Sequence, residues 1–239
     1  MASPALTALL GAHAAASSWD PLAMSNLVAG YDASDTASIT ESGGAVSAIA
    51  DNTGNGNNAV QSNASYKPTT GANTVNGLNV LTMGNNKLLT ATLGSSVSQP
   101  FTLYLVVYLT NFRNYGMLFG NAVQNTSGAG ITTRNFPAFG FRAQSQVQSS
   151  ASVSTGVAYS IVAEFNGSSS AITVAGVTDS SVDVSTNAIG TELDLGSLNG
   201  GQNDSMDGYW CEGYLRTGVG YSSDITGFAG YATSKWGAS

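Results

Sequence analysis

The run Phe101-Thr-Leu-Tyr-Leu-Val-Val-Tyr-Leu109 constrains this chain more than any other segment. Successive side chains of a strand point to opposite faces. One face here carries Phe101, Leu103, Leu105, Val107 and Leu109; the other carries Thr102, Tyr104, Val106 and Tyr108 and is only partly polar. Such a strand belongs in the middle of a layered β structure, covered on both sides. A second run, Val157 to Phe165, sets Val157, Tyr159, Ile161, Ala163 and Phe165 on one face. Asn166-Gly167 then supplies a turn and Ala171 to Val177 returns, which reads as a hairpin. Tyr209 to Leu215 is a further strand, and shorter runs fit at 27–32, 45–50, 78–83, 115–119, 131–134 and 139–143. Many short strands with turn punctuation and no fixed repeat period predict an all-β sandwich rather than a βαβ fold or a solenoid.

Charge narrows the functional classes. Only 9% of the 239 residues are charged, against roughly 25% in an average domain. Seven basic residues face fourteen acidic ones, a net charge of −7, too little positive charge for a phosphate-binding stripe. Nucleic acid is therefore not an expected partner. No run of about 18 apolar residues marks a membrane span. The lone Cys211 excludes a disulfide framework, and the lone His13 leaves zinc without its usual ligands and a catalytic triad without a well-held base.

The two ends depart from the β pattern. Residues 5–16 resemble a short apolar signal core, but no Lys or Arg precedes them. A helix fits better, with Ser3 as N-cap, Pro4 at its first position, and Leu6, Leu9, Leu10 and His13 on one face. So small a stripe must dock, on its own domain or on a neighbouring subunit. Residues 1–21 are thus expected to be an arm that anchors an assembly through Leu6, Leu9, Leu10 and Trp19, and residues 22–239 a single domain. At the other end, Ser223-Asp224 opens a helix whose Ile225, Phe228, Ala229, Ala232 and Trp236 share a face, closed by Gly237. Gly227 and Gly230 each weaken it by up to about 1 kcal/mol, so packing must hold it.

Three motifs near the start and two near the end carry a family resemblance. They are Leu27-Val-Ala-Gly-Tyr-Asp-Ala-Ser-Asp35, Gly43-Gly-Ala-Val-Ser47, Asp51-Asn-Thr-Gly-Asn-Gly-Asn-Asn-Ala59, Met206-Asp-Gly-Tyr-Trp-Cys-Glu-Gly-Tyr-Leu215 and Gly230-Tyr-Ala-Thr-Ser-Lys-Trp-Gly237. Together they resemble the laminin-G-like or concanavalin-A-like lectin/glucanase domains found in many bacteriophage virion proteins. The resemblance spans residues 22–237, with specific motifs at the ends and strand pattern alone between them. It implies a jelly-roll of two antiparallel sheets with a closing helix, and a setting on the surface of a virion. Gly30 stands where the family commonly has an aromatic, so a contact there is missing or supplied elsewhere. Asn58 replaces a usual His.

Glycoside hydrolysis needs two carboxyl groups about 5–10 Å apart. Glucanases of this fold carry Glu-x-Asp-x-x-Glu on one strand; the nearest match is Glu192-Leu-Asp194-Leu-Gly-Ser197, which lacks the last acid. The other glutamates are Glu41, Glu164 and Glu212, and nothing singles out Asp183 as a partner for Asp194. No catalytic set and no cofactor are expected. Glu212 matches the family's buried Glu, which implies a hydrogen-bonded structural role. Asp51, Asn52, Thr53 and Asn55 offer oxygens on a turn where calcium could sit, but without the alternating acids of a tight site. A turn held by Asx hydrogen bonds is the simpler expectation. Two aromatic clusters at strand ends, Phe112/Arg113/Asn114/Tyr115 and Arg134/Asn135/Phe136/Phe139, are candidates for a sugar platform or a subunit interface.

The leading expectation is a non-enzymatic structural protein of a phage virion, a capsid decoration or surface projection held by its N-terminal arm to other virion proteins. A homo-oligomer, by analogy a trimer, is expected. The alternative is a lectin-like module that adsorbs to host surface glycans; a glycoside hydrolase ranks third.

Overall fold

The Phe101–Asn111 strand runs through the middle of a seven-stranded antiparallel sheet. In spatial order the sheet comprises Leu27–Asp32, Asp207–Thr217, Phe101–Asn111, Ala158–Phe165, Ser170–Val174 and Val177–Val182, with Leu81–Met83 also paired to Asp207–Thr217. This computed structural model describes residues 19–121, 128–134, 137–198 and 205–239. Leu6, Leu9, Leu10, His13 and Phe136 therefore lie outside the described residues. A nine-stranded sheet lies opposite, ordered Ser145–Gln148, Ala138–Ala143, Gly130–Arg134, Met117–Gly120, Glu192–Leu195, Leu89–Thr92, Ala59–Val60, Ala45–Ile49 and Ile39–Ser42. The chain is an all-β antiparallel sandwich with one C-terminal α-helix among the described residues.

Alternation decides what fills the space between the sheets. Phe101, Leu103, Leu105, Val107 and Leu109 all point inward and are fully buried. They meet Phe119, Ile131, Phe139, Phe141, Leu193 and Leu195 from the nine-stranded sheet. Trp210 packs edge-on to Phe119, ring centroids 6.0 Å apart. A bulge between Trp210 and Glu212 then turns both Cys211 and Glu212 to the opposite, outer face.

That outer face explains the half-apolar side of the central strand. Helix α1, Ser222–Trp236, lies across it and covers Tyr104, Val106, Val162, Cys211 and Tyr214 with Phe228, Ala232 and Trp236. Phe228 meets Tyr104 edge-on at 5.3 Å. Gly237 ends the helix in the left-handed conformation at φ 65°, as its position suggests. At its start the helix has no side-chain cap; Asp224 instead pairs with Arg216, Nη1–Oδ2 2.6 Å. Trp19 is clasped by its own domain, edge-on to Phe228 at 6.1 Å and to Tyr231 at 5.9 Å.

Two expected strands are broken by turns that the sequence reading passed over. The run 171–177 is two strands, Ser170–Val174 and Val177–Val182, joined through Ala175 at φ 50° and Gly176 at φ 75°. Positive φ at both central residues is the type I′ geometry that matches strand twist, and alanine there gives no warning. The run 78–83 is divided between Leu78–Asn79, hairpinned to Thr74–Val75 through Asn76-Gly77, and Leu81–Met83. Short polar strands such as Ile39–Ser42, Leu89–Thr92 and Ser145–Gln148 were not legible, because pairing rather than alternation creates them. At Gly30 the missing aromatic is supplied by the neighbouring strand. A Cβ there would lie 2.7 Å from the ring of Tyr214, its cross-strand partner.

The two helix glycines should respond oppositely to alanine. Gly230 is exposed with open space at its Cβ position, so Gly230→Ala should raise stability by about 0.5–1 kcal/mol. A Cβ on Gly227 would sit 2.4 Å from the Trp19 indole, so Gly227→Ala should lower stability by about 1–3 kcal/mol. Urea unfolding of both variants checks the pair.

Candidate functional site

Of the two expected aromatic clusters, the structure brings Phe112 and Arg113 together with Phe139 and the strand that carries Arg134, while Asn135 and Phe136 lie outside the described residues. The Thr133 hydroxyl donates to the Arg113 carbonyl, and Phe112 tilts against Phe139 with centroids 6.2 Å apart. Phe139 is not a surface platform, however. It alternates inward with Phe141, is fully buried, and meets Tyr159 edge-on at 5.5 Å. Arg113 pairs with Asp207, Nε–Oδ2 2.6 Å, and Arg134 donates to the Gln146 carbonyl at 3.1 Å. Tyr115 is half-buried in a turn at φ 63°. What these residues build is a sandwich end tied together by rings and guanidinium contacts.

The turn at 51–58 is organised by one carboxylate. Asp51 Oδ1 accepts from the backbone N–H groups of Gly30 and Thr53, each at 3.0 Å, and from the Thr53 hydroxyl at 2.7 Å. Its Oδ2 accepts from Asn57 N at 3.0 Å, and Asn58 Oδ1 accepts from Asp51 N at 2.9 Å. Both carboxylate oxygens face backbone donors, the arrangement of an Asx-type turn. Among the described residues no group of three or more His, Cys, Asp or Glu side chains is placed to hold a metal ion.

Acids do converge elsewhere, under α1. Asp32 and Glu212 are cross-strand partners, and Lys235 from the last helical turn reaches both, Nζ–Oδ2 2.6 Å and Nζ–Oε2 2.9 Å. The Tyr231 hydroxyl also donates to Glu212 Oε2 at 3.0 Å. Glu212 is fully buried, and its Oε1 has no hydrogen-bond partner. Burial pushes its carboxyl up to about 7, against the pull of Lys235; the two carboxylates hold the Lys235 ammonium well above its ordinary range. Burial likewise pushes the Cys211 thiol up. The cluster fastens the helix to the sheet. On the other sheet, Glu192 is exposed and Asp194 is buried, accepting from the Thr90 hydroxyl at 2.7 Å; Ser197 in the third position is buried.

The feature with the makings of a binding site is one that sequence reasoning missed. Tyr108 and Tyr209 are cross-strand partners on the outer face, stacked with centroids 5.3 Å apart and planes 25° from parallel. Helix α1 stops before covering them, so both rings stay half-exposed. They line a groove of about 500 Å³ together with Thr74 and Asn76 of the small hairpin, Gly156, and Trp236 at the helix end. The Tyr209 hydroxyl donates to Asn73 Oδ1 at 3.3 Å, and Asn76 Nδ2 donates to the Lys235 carbonyl at 2.9 Å. Among the described residues no acidic side chain lines the groove. The available signal was the repeated tyrosine on the outer face of the central strand; which one stays open depends on where the helix ends. A second groove of about 410 Å³ lies on the nine-stranded sheet between Ser47, Val60, Gln61, Lys67 and Thr90, with no aromatic in its wall. No described helix is long and apolar enough to cross a membrane.

No protein-family model matches the chain, and no curated protein sequence matches it. Solved structures do share its fold. Domain 4 of a GH43 extracellular arabinanase from Geobacillus stearothermophilus, solved with arabinotriose, superposes with TM-score 0.61 at 14% identity, covering 85% of this chain and 98% of that domain. Trypanosoma rangeli sialidase, solved with sialic acid, gives 0.61 at 13% identity over 90% of this chain and 34% of that one. The binding domain of Paraclostridial mosquitocidal protein 1 gives 0.59 at 11% identity over 84% and 51%. The chain thus spans about a third of the sialidase and about half of the mosquitocidal domain. At these identities the likeness is one of fold, an antiparallel β-sandwich.

Glu212 has a testable signature in pH. Below its ordinary value of 4.5 it is protonated in both folded and unfolded chains, and its contribution to stability is complete. As pH rises toward about 7 the unfolded chain releases the proton and the folded one retains it, so stability falls through that window. Glu212→Gln removes the titrating group and should flatten this slope. Unfolding curves recorded across the window, for both proteins, check the sign.

Proposed function

We propose that this chain is a non-catalytic carbohydrate-binding module that holds a sugar chain against Tyr108 and Tyr209. The observation that carries the reading is the stacked tyrosine pair left open in a groove of about 500 Å³. Aromatic rings offer an apolar face to the C–H side of a sugar while the surrounding amides and hydroxyls meet its hydroxyl groups. Sugar-bound domains of the same fold support the reading, among them the arabinanase domain with arabinotriose. Binding without cleavage fits the acids: Asp32 and the fully buried Glu212 are both paired with Lys235 at the helix, and among the described residues no carboxylate lines the groove.

A second reading, a virion-surface decoration or projection protein, is supported by the motifs at residues 27–35, 51–59 and 230–237. In it an oligomer is attached through residues 1–21 and the groove faces outward. The two readings are compatible, since a projection can carry a binding module. Deleting residues 1–18 should then abolish co-sedimentation with particles and leave sugar binding intact.

Tyr108→Ala and Tyr209→Ala should each weaken retention on immobilised neutral polysaccharide (arabinan, xylan or β-glucan) by about tenfold or more, the loss of one stacking contact. Circular dichroism confirms that the variants fold. Retention equal to that of the natural chain in both variants, or no retention of the natural chain on any of the three, would refute the groove.

A further inference from the structure

Hydrogen-bonding groups around the groove are unequally available. Gly156 N donates to the Leu109 carbonyl at 2.9 Å, and Gly237 N to the Thr233 carbonyl at 3.0 Å. Asn76 uses one of its two amide N–H groups on the Lys235 carbonyl at 2.9 Å, and Tyr209 uses its hydroxyl proton on Asn73 at 3.3 Å. The Trp236 indole N–H has no partner but is sealed beneath the surface, out of a ligand's reach. Asn76 Oδ1 and the Tyr209 hydroxyl oxygen remain as acceptors, while Thr74 and Tyr108 carry hydroxyls that can serve either way.

Charge points the same way. Among the described residues no cationic side chain lines the groove. Arg113 is paired with Asp207, and Lys235 with Asp32 and Glu212. The chain as a whole carries −7. An ionised carboxylate or sulfate accepts hydrogen bonds and donates none, so it would lose its hydration at this wall and gain little in return. A neutral sugar hydroxyl both donates and accepts, so it can use the acceptors and the hydroxyls of this wall without giving up the hydration of a charge.

We infer that the groove selects neutral, hydroxyl-rich glycan chains and rejects those bearing uronic acid, sialic acid or sulfate groups. The inference rests on the glycan-binding reading above and adds its specificity. The Tyr108 and Tyr209 rings supply affinity that any sugar face can use, whereas a rim with no cation among the described residues decides which sugars keep it.

The test is calorimetric titration of the full chain with neutral xylo- and arabino-oligosaccharides and with matched xylo-oligosaccharides carrying glucuronic acid or sulfate. Binding of the neutral chains, with at least about tenfold weaker binding of the acidic ones, is expected. Thr74→Lys, on the exposed rim of the hairpin, should narrow that gap by strengthening acidic binding. Acidic chains binding as tightly as neutral ones, with loss in Tyr209→Ala, would overturn the specificity and leave the groove standing. Binding of neither class, or binding unaffected by Tyr209→Ala, would overturn the groove reading and the inference with it.

Discussion

The ammonium of Lys235 fastens helix α1 to the seven-stranded sheet. It joins Asp32 on one strand and Glu212 on the next to the last turn of α1, at 2.6 and 2.9 Å. Losing one partner of a buried ion pair costs about 3–5 kcal/mol, because the other charge is left uncompensated. Here the ammonium serves two carboxylates, and Asp32 also accepts from Ser34. At the far end of the helix Arg216 and Asp224 make a second fastening at 2.6 Å. Between them Phe228, Ala232 and Trp236 close the outer face of the seven-stranded sheet.

That clamp also defines the groove. The helix ends at Trp236 and Gly237, and the same turn whose ammonium pairs with Asp32 and Glu212 presents its backbone to Asn76. Helix position, hairpin position and the open tyrosine pair are therefore linked through a few contacts of Lys235. Beside the stretch of sheet that the helix covers, the stacked tyrosine pair stays partly open.

Alternation in Phe101–Leu109 was enough to place the central strand, because its inward residues are apolar without exception. The closing helix was legible from its apolar face and its terminal glycine. Glu212 was recognisable as a structural acid, though not its partners, since Asp32 is distant in sequence and meets it only through strand pairing. The aromatic clusters misled for a related reason. Aromatic residues at strand ends read alike whether they turn inward or outward, and Phe139 turns inward with Phe141. Tyr108 looked like core in the sequence, as Tyr104 is, and differs from it only in lying beyond the reach of the helix.

By itself, the sequence determined the layered β architecture, through the two-residue period of its strands and the turn residues between them. It also determined the low charge, with seven basic residues against fourteen acidic ones. Tertiary structure alone decided which polar groups are already paired, which tyrosines remain open and which carboxylates meet. Those outcomes depend on register and on where α1 ends, and both arise from contacts between residues far apart in the chain.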